Sequence, residues 1–91
     1  MKIENMISSK GNSIANQFTI SADNGDEFFQ SYKSMIVKKD YQGEVVQILL
    51  DEKFWDYSMT TSKYRSIFLN ESTIETRAKI KSGEYKLTNL N

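Results

Sequence analysis

Phe54-Trp55-Asp56-Tyr57-Ser58-Met59-Thr60-Thr61-Ser62-Lys63-Tyr64-Arg65-Ser66-Ile67-Phe68-Leu69 separates two halves of the chain with different periodicity. Before it, apolar and polar residues alternate as in strands; after it, apolar residues recur three and four apart as in helices. The stretch holds the only Trp and five of the aromatic residues. Thr60, Thr61 or Ser62 can cap a helix by accepting from the free amides of its first turn. Tyr64, Ile67 and Phe68 then form an apolar stripe. Trp55 and Phe68 are expected in the core.

Outward toward the C-terminus, Ser72-Thr73-Ile74-Glu75 has the spacing of a capping box. It predicts a second helix over 73–82, with Arg77, Lys79 and Lys81 near the end where cations oppose the helix dipole favourably. Gly83 suits the left-handed closing position. Tyr85, Leu87 and Leu90 give one apolar side to an extended tail that can return to the sheet.

Outward toward the N-terminus, Glu44 to Leu50 is rich in Val, Ile and Leu, as in a strand covered on both sides. Glu27 to Lys39 carries apolar residues on both parities and reads as one central strand with a bulge near Ser34. Asn24-Gly25 predicts a tight hairpin turn. Phe18 and Ile20 alternate with Gln17, Thr19 and Ser21, and Ile3 to Ser9 is a fourth possible strand. The expected architecture is α+β: a small antiparallel sheet of three to four strands in the N-terminal part, with one face covered by two short C-terminal helices. Ninety-one residues make one domain, 1–91.

The chain has no Cys and no His, which removes disulfides, thiolate metal sites and the commonest general base near neutral pH. No phosphate-binding Gly-rich loop, catalytic triad pattern or metal-ligand spacing is present. No catalytic residue, metal or cofactor is therefore expected. The acids Asp23, Asp26 and Glu27 surround a turn, and Asp51, Glu52 and Asp56 follow a strand; both sets read as solvated. The N-terminus lacks a signal-peptide pattern, and the apolar run Val45–Leu50 is too short to span a bilayer.

Net charge is zero, but residues 1–59 carry −3 and residues 60–91 carry +3. Trp55, Tyr57, Tyr64 and Arg65 lie close together in sequence and are the residue types that dominate interface hot spots. Tyr57, Lys63, Tyr64 and Arg65 are accordingly the expected partner-binding residues. The alternative is a nucleic-acid contact, with helix–turn–helix-like spacing from Thr61 to Ser82 and Arg77, Lys79 and Lys81 on phosphates. A third reading is an oligomeric structural or assembly component, with an edge strand within Ile14 to Val37 pairing between copies.

The run Phe54-Trp55-Asp56-Tyr57-Ser58, with Thr60-Thr61-Ser62-Lys63-Tyr64-Arg65 and Phe68-Leu69, resembles a family of small phage and mobile-element proteins of low-GC Gram-positive bacteria. Gly11-Asn12, Ala15-Asn16-Gln17-Phe18 and Lys79-Ile80-Lys81-Ser82-Gly83-Glu84-Tyr85 share the resemblance. It implies a cytoplasmic setting in an infected bacterial host and no particular site residue. By analogy with other proteins of that size and setting, it suggests a non-enzymatic inhibitor or sequestering protein. The target would be a host protein or host signalling ligand, as for an anti-defence protein of the anti-CRISPR kind.

Overall fold

The computed structural model describes residues 1–91. Six strands form one sheet: β1 (Lys2–Ile7), β2 (Ser13–Ser21), β3 (Glu27–Ser31), β4 (Ser34–Asp40), β5 (Gln47–Asp51) and β6 (Tyr85–Thr88). Two helices, α1 (Met59–Leu69) and α2 (Thr73–Ser82), lie between β5 and β6 in the chain. Spatial order follows chain order, β1-β2-β3-β4-β5-β6. The first five strands form an antiparallel meander, and β6 is parallel to β5. Parallel neighbours need a crossover connection, and the helical pair supplies it.

The fold is α+β as expected, but the sheet has six strands rather than three to four. One of the extra strands comes from dividing Glu27–Lys39. The chain reverses at Tyr32-Lys33, with Ser31 opposite Ser34 and Tyr32 at a φ of 56°. No Gly or Asn-Gly marks this turn. One bond across the sheet and one local side-chain bond hold it instead: Tyr32 N–H donates to the Asn16 carbonyl at 2.7 Å, and Gln30 Nε2 to the Tyr32 carbonyl at 2.7 Å. The expected single strand with a bulge near Ser34 is thus a hairpin, and its register irregularity falls at Ile36. Phe29 pairs with Val37 and Gln30 with Met35, so Ile36 is the extra residue. Bulging lets Ile36 and Val37 both be buried.

Asn24-Gly25 does not form a two-residue turn. Residues 22–26 make a longer loop in which only Gly25 has positive φ (96°), with the Ala22 amide donating to the Asp26 carbonyl at 2.9 Å. Asp26 turns inward, where its carboxylate accepts from the Tyr41 amide at 2.9 Å and Gln42 Nε2 at 2.9 Å. Those partners draw Asp26 out of a tight hairpin.

The register row Glu4–Thr19–Phe29–Val37–Leu50–Leu87 lies on the helix-covered face. Phe29 stacks on Phe68 of α1 with ring centroids 5.8 Å apart, and Ser31 Oγ bonds Thr61 Oγ1 at 2.9 Å. Met6, Phe29, Ile36, Val37, Leu50 and Tyr85 form the buried core.

Local chemistry fixes the helix ends. Ser58, rather than the three hydroxyls after Met59, caps α1 by accepting from the Thr61 amide at 3.1 Å. Thr61 and Ser62 are engaged elsewhere, on Ser31 and on Asp56. Asn70 closes α1 in the left-handed conformation, with the Glu71 amide donating to the Ser66 carbonyl at 3.1 Å. Ser72 and Glu75 complete the capping box of α2, and Gly83 ends it at φ 87°.

Asp51 ties the C-terminal segment to the end of β5. Its buried carboxylate accepts from the amides of Lys53 (3.1 Å), Phe54 (3.0 Å) and Leu90 (2.8 Å). Burial would raise its pKa, but these hydrogen bonds outweigh that and hold it below the usual carboxylate range. The edges of the sheet are β1 and β6, so the strands from Ile14 to Val37 are interior and offer no edge for pairing.

Candidate functional site

The aromatic–basic stretch does not present a single surface. Arg65, on the buried side of α1, is 0 % exposed, so it is a positioning residue and not a contact residue. Its Nη1 donates to the Trp55 carbonyl and to Asp56 Oδ1 (3.2 Å), and its Nη2 donates to Thr73 Oγ1 at 2.7 Å. One guanidinium thereby joins the segment before α1 to the start of α2. Its planar fork suits that geometry.

Trp55 is half-buried rather than sealed in the core. The Arg65 guanidinium lies 5.1 Å from its ring centroid and that of Arg77 5.6 Å away. Arg77 Nη2 also donates to Asp56 Oδ2 at 2.8 Å. Burial works to raise the Asp56 pKa, but Ser62, Arg65 and Arg77 together hold its carboxyl below the usual range.

Of the basic residues near the C-terminus, Arg77 is thus engaged with Asp56 and Trp55. Lys79 donates to Glu71 Oε1 at 2.8 Å, and of Arg77, Lys79 and Lys81 only Lys81 makes no ion pair. The three do not form a free basic patch. Glu71 also accepts from Thr76 Oγ1 at 2.6 Å and from the Tyr85 hydroxyl at 2.6 Å. Burial and the Glu71 carboxylate together push the Tyr85 phenol up to about 12.

Three hollows of similar size mark the surface. One of about 390 Å³ is lined by Val45, Val46, Gln47, Ile48, Glu84 and Lys86, and its two charges are of opposite sign. A second, of about 380 Å³, is lined by Asp56, Tyr57, Ser58, Met59 and Ser62. Three of its polar side chains are already engaged: Ser58 caps α1, and Ser62 and both arginines hold Asp56. Tyr57, 48 % exposed, borders it and meets the Phe54 ring edge-on at 5.3 Å.

The third hollow is a groove of about 350 Å³ between α1 and the β1–β2 turn. Lys63, Tyr64 and Ile67 of α1 form one wall, and Ile7, Ser8, Ser9 and Ile14 the other. Ile7 is 61 % exposed and Ile67 56 % exposed. The Lys63 ammonium lies 5.3 Å from the Tyr64 ring centroid and makes no ion pair. The groove combines exposed apolar surface with one uncompensated cation, and it brings together two of the expected partner-binding residues, Lys63 and Tyr64. Tyr57 belongs to the second hollow.

Sequence reasoning did not find Ile7, Ile14 and Ile67. The α1 stripe placed Ile67 on the buried side. The other two meet α1 only through the return of the chain after β5, which no local pattern reveals.

A family model described as "Family of unknown function (DUF8033)" matches residues 1–85. No curated protein and no solved structure matches the chain.

Proposed function

We propose that this chain, which belongs to the DUF8033 family, is a non-enzymatic binding protein that holds a partner protein in the groove between α1 and the β1–β2 turn. The supporting observation is the exposure of Ile7 and Ile67 on its opposite walls. Covering such side chains releases about 1 kcal/mol or more each, a gain available only on docking. Tyr64, on the same wall as Ile67, adds a large, rigid area, as interface anchors do. The family resemblance of the Phe54–Leu69 stretch suggests the partner class. It would be a protein of a bacterial host, sequestered or inhibited by occupation, as in an anti-defence role. No helix is long and apolar enough to cross a membrane.

The test is affinity capture from a Gram-positive bacterial lysate with the wild type and the double variant Ile7→Asp/Ile67→Asp. Both positions are exposed, so the variant should keep the wild-type circular dichroism and melting profile. The expected result is a partner retained by the wild type and lost at least about tenfold by the variant. Tyr57→Ala, in the neighbouring hollow, should retain it. Equal capture by wild type and double variant would remove the groove from the proposal.

A further inference from the structure

We infer that the groove between α1 and the β1–β2 turn selects an extended protein segment in which a large apolar side chain stands next to an acidic one. This rests on the reading of the groove as the contact surface and adds the chemistry of what fills it.

The charge argument comes from α1. The helix carries no acidic residue, and its two cations are Lys63 and Arg65. Arg65 is neutralised inside the protein by Asp56. Lys63 is exposed, forms no ion pair, and is the only charged residue lining the groove. The rest of the lining is apolar apart from the Ser8, Ser9 and Tyr64 hydroxyls, and the Ser8 hydroxyl, which accepts from the Asn12 amide at 3.1 Å, keeps its own proton to donate. A carboxylate would find one cation and neighbouring hydroxyl donors there, and the apolar side chain beside it would cover Tyr64 and Ile67. A cationic segment would meet like charge with no anion among the groove's lining residues to offset it.

The fold argues for an extended backbone. β1 is a terminal strand of the sheet, so its outer amides and carbonyls have no strand beside them. It ends at Ile7, which is itself a wall of the groove. A peptide lying along β1 can add main-chain hydrogen bonds and deliver alternate side chains toward α1.

A random dodecapeptide library displayed on phage, panned against the immobilised full chain, tests this directly. The Ile7→Asp/Ile67→Asp variant serves for counter-selection. The expected consensus pairs a large aliphatic or aromatic residue with Asp or Glu within two positions. A synthetic peptide of that sequence should bind about fivefold or more weakly to Lys63→Glu, an effect that shrinks with added salt. Replacing the peptide's acid with Lys should restore binding to Lys63→Glu, a reciprocity that damage to the fold would not produce. A groove-dependent consensus without acid, or Lys63→Glu within twofold of wild type, overturns the inference while leaving the groove as the contact surface. No enrichment over the counter-selected background overturns it too, and lysate capture then decides separately whether the groove binds a partner. Displacement of the peptide by a single-stranded oligonucleotide would reassign Lys63 to phosphate and also overturn it.

Discussion

Arg65→Ala is expected to destabilise the fold by about 3 kcal/mol, chiefly through the cavity and the stranded hydrogen-bond partners it leaves, since Asp56 is 27 % exposed and keeps Arg77. The substitution leaves the Trp55 carbonyl and the Thr73 hydroxyl without the Arg65 donor, and takes one donor from Asp56 Oδ1, which keeps Ser62 Oγ at 2.5 Å. It also opens a cavity where a fully buried side chain stood. A domain of this length has roughly 5–14 kcal/mol of total stability, so the loss is a large share of it. Arg65→Lys should rescue little. A single ammonium cannot reach Trp55 and Asp56 on one side and Thr73 on the other, as the two guanidinium nitrogens do. Urea unfolding followed by Trp55 fluorescence measures the effect. A midpoint unchanged in Arg65→Ala would mean that Arg65 contributes nothing to joining α1 and α2.

Glu71→Ala is expected to cost about 2–3 kcal/mol at neutral pH and to change the response to alkali. The Glu71 side chain is 4 % exposed and accepts from Thr76, Lys79 and Tyr85. Removing it strands three donors, two of them attached to buried residues.

The pH dependence follows from the directions of the shifts. Burial would raise the Glu71 pKa, but Lys79, Thr76 and Tyr85 hold it below its ordinary value. Its contribution is therefore complete above about pH 4.3 and is lost as pH falls through the lower folded value. Lys79 is raised, first by its hydrogen bond to Glu71, so its contribution is complete below about pH 10.4 and is lost as pH rises. Tyr85 is held neutral up to about 12, so its share is present below about pH 10 and disappears as pH rises through 12. The wild type should thus show a stability plateau that falls at both ends. In Glu71→Ala the phenol should titrate nearer its ordinary value of about 10, visible as phenolate absorbance appearing at lower pH. Burial, the largest cause of the shift, keeps part of it. An unchanged Tyr85 titration in the variant would show that Glu71 does not hold the phenol.

The helical half of the fold was legible because its signals are local. Ser72, Glu75 and Gly83 act within one turn of the residues they cap, and Tyr85 and Leu87 announced a tail returning to the sheet. The division of Glu27–Lys39 into two strands was hidden. Its turn relies on the Asn16 carbonyl across the sheet rather than on a turn-forming residue of its own. The site was partly legible. Lys63 and Tyr64 were marked by residue type alone and do line the groove. Arg65 looked equally suitable because Arg is almost never fully buried unless paired. Its pairing needs Trp55, Asp56 and Thr73 to converge in space, which sequence proximity does not disclose.

Amide hydrogen exchange, measured on the chain alone and with its captured partner, tests the binding surface most directly. Slowed exchange over residues 7–14 and 63–67, with the amides of 45–48 and 84–86 unchanged, is the predicted footprint. Protection confined to 45–48 and 84–86, or to the segment bearing Tyr57, would place the partner elsewhere and contradict the account.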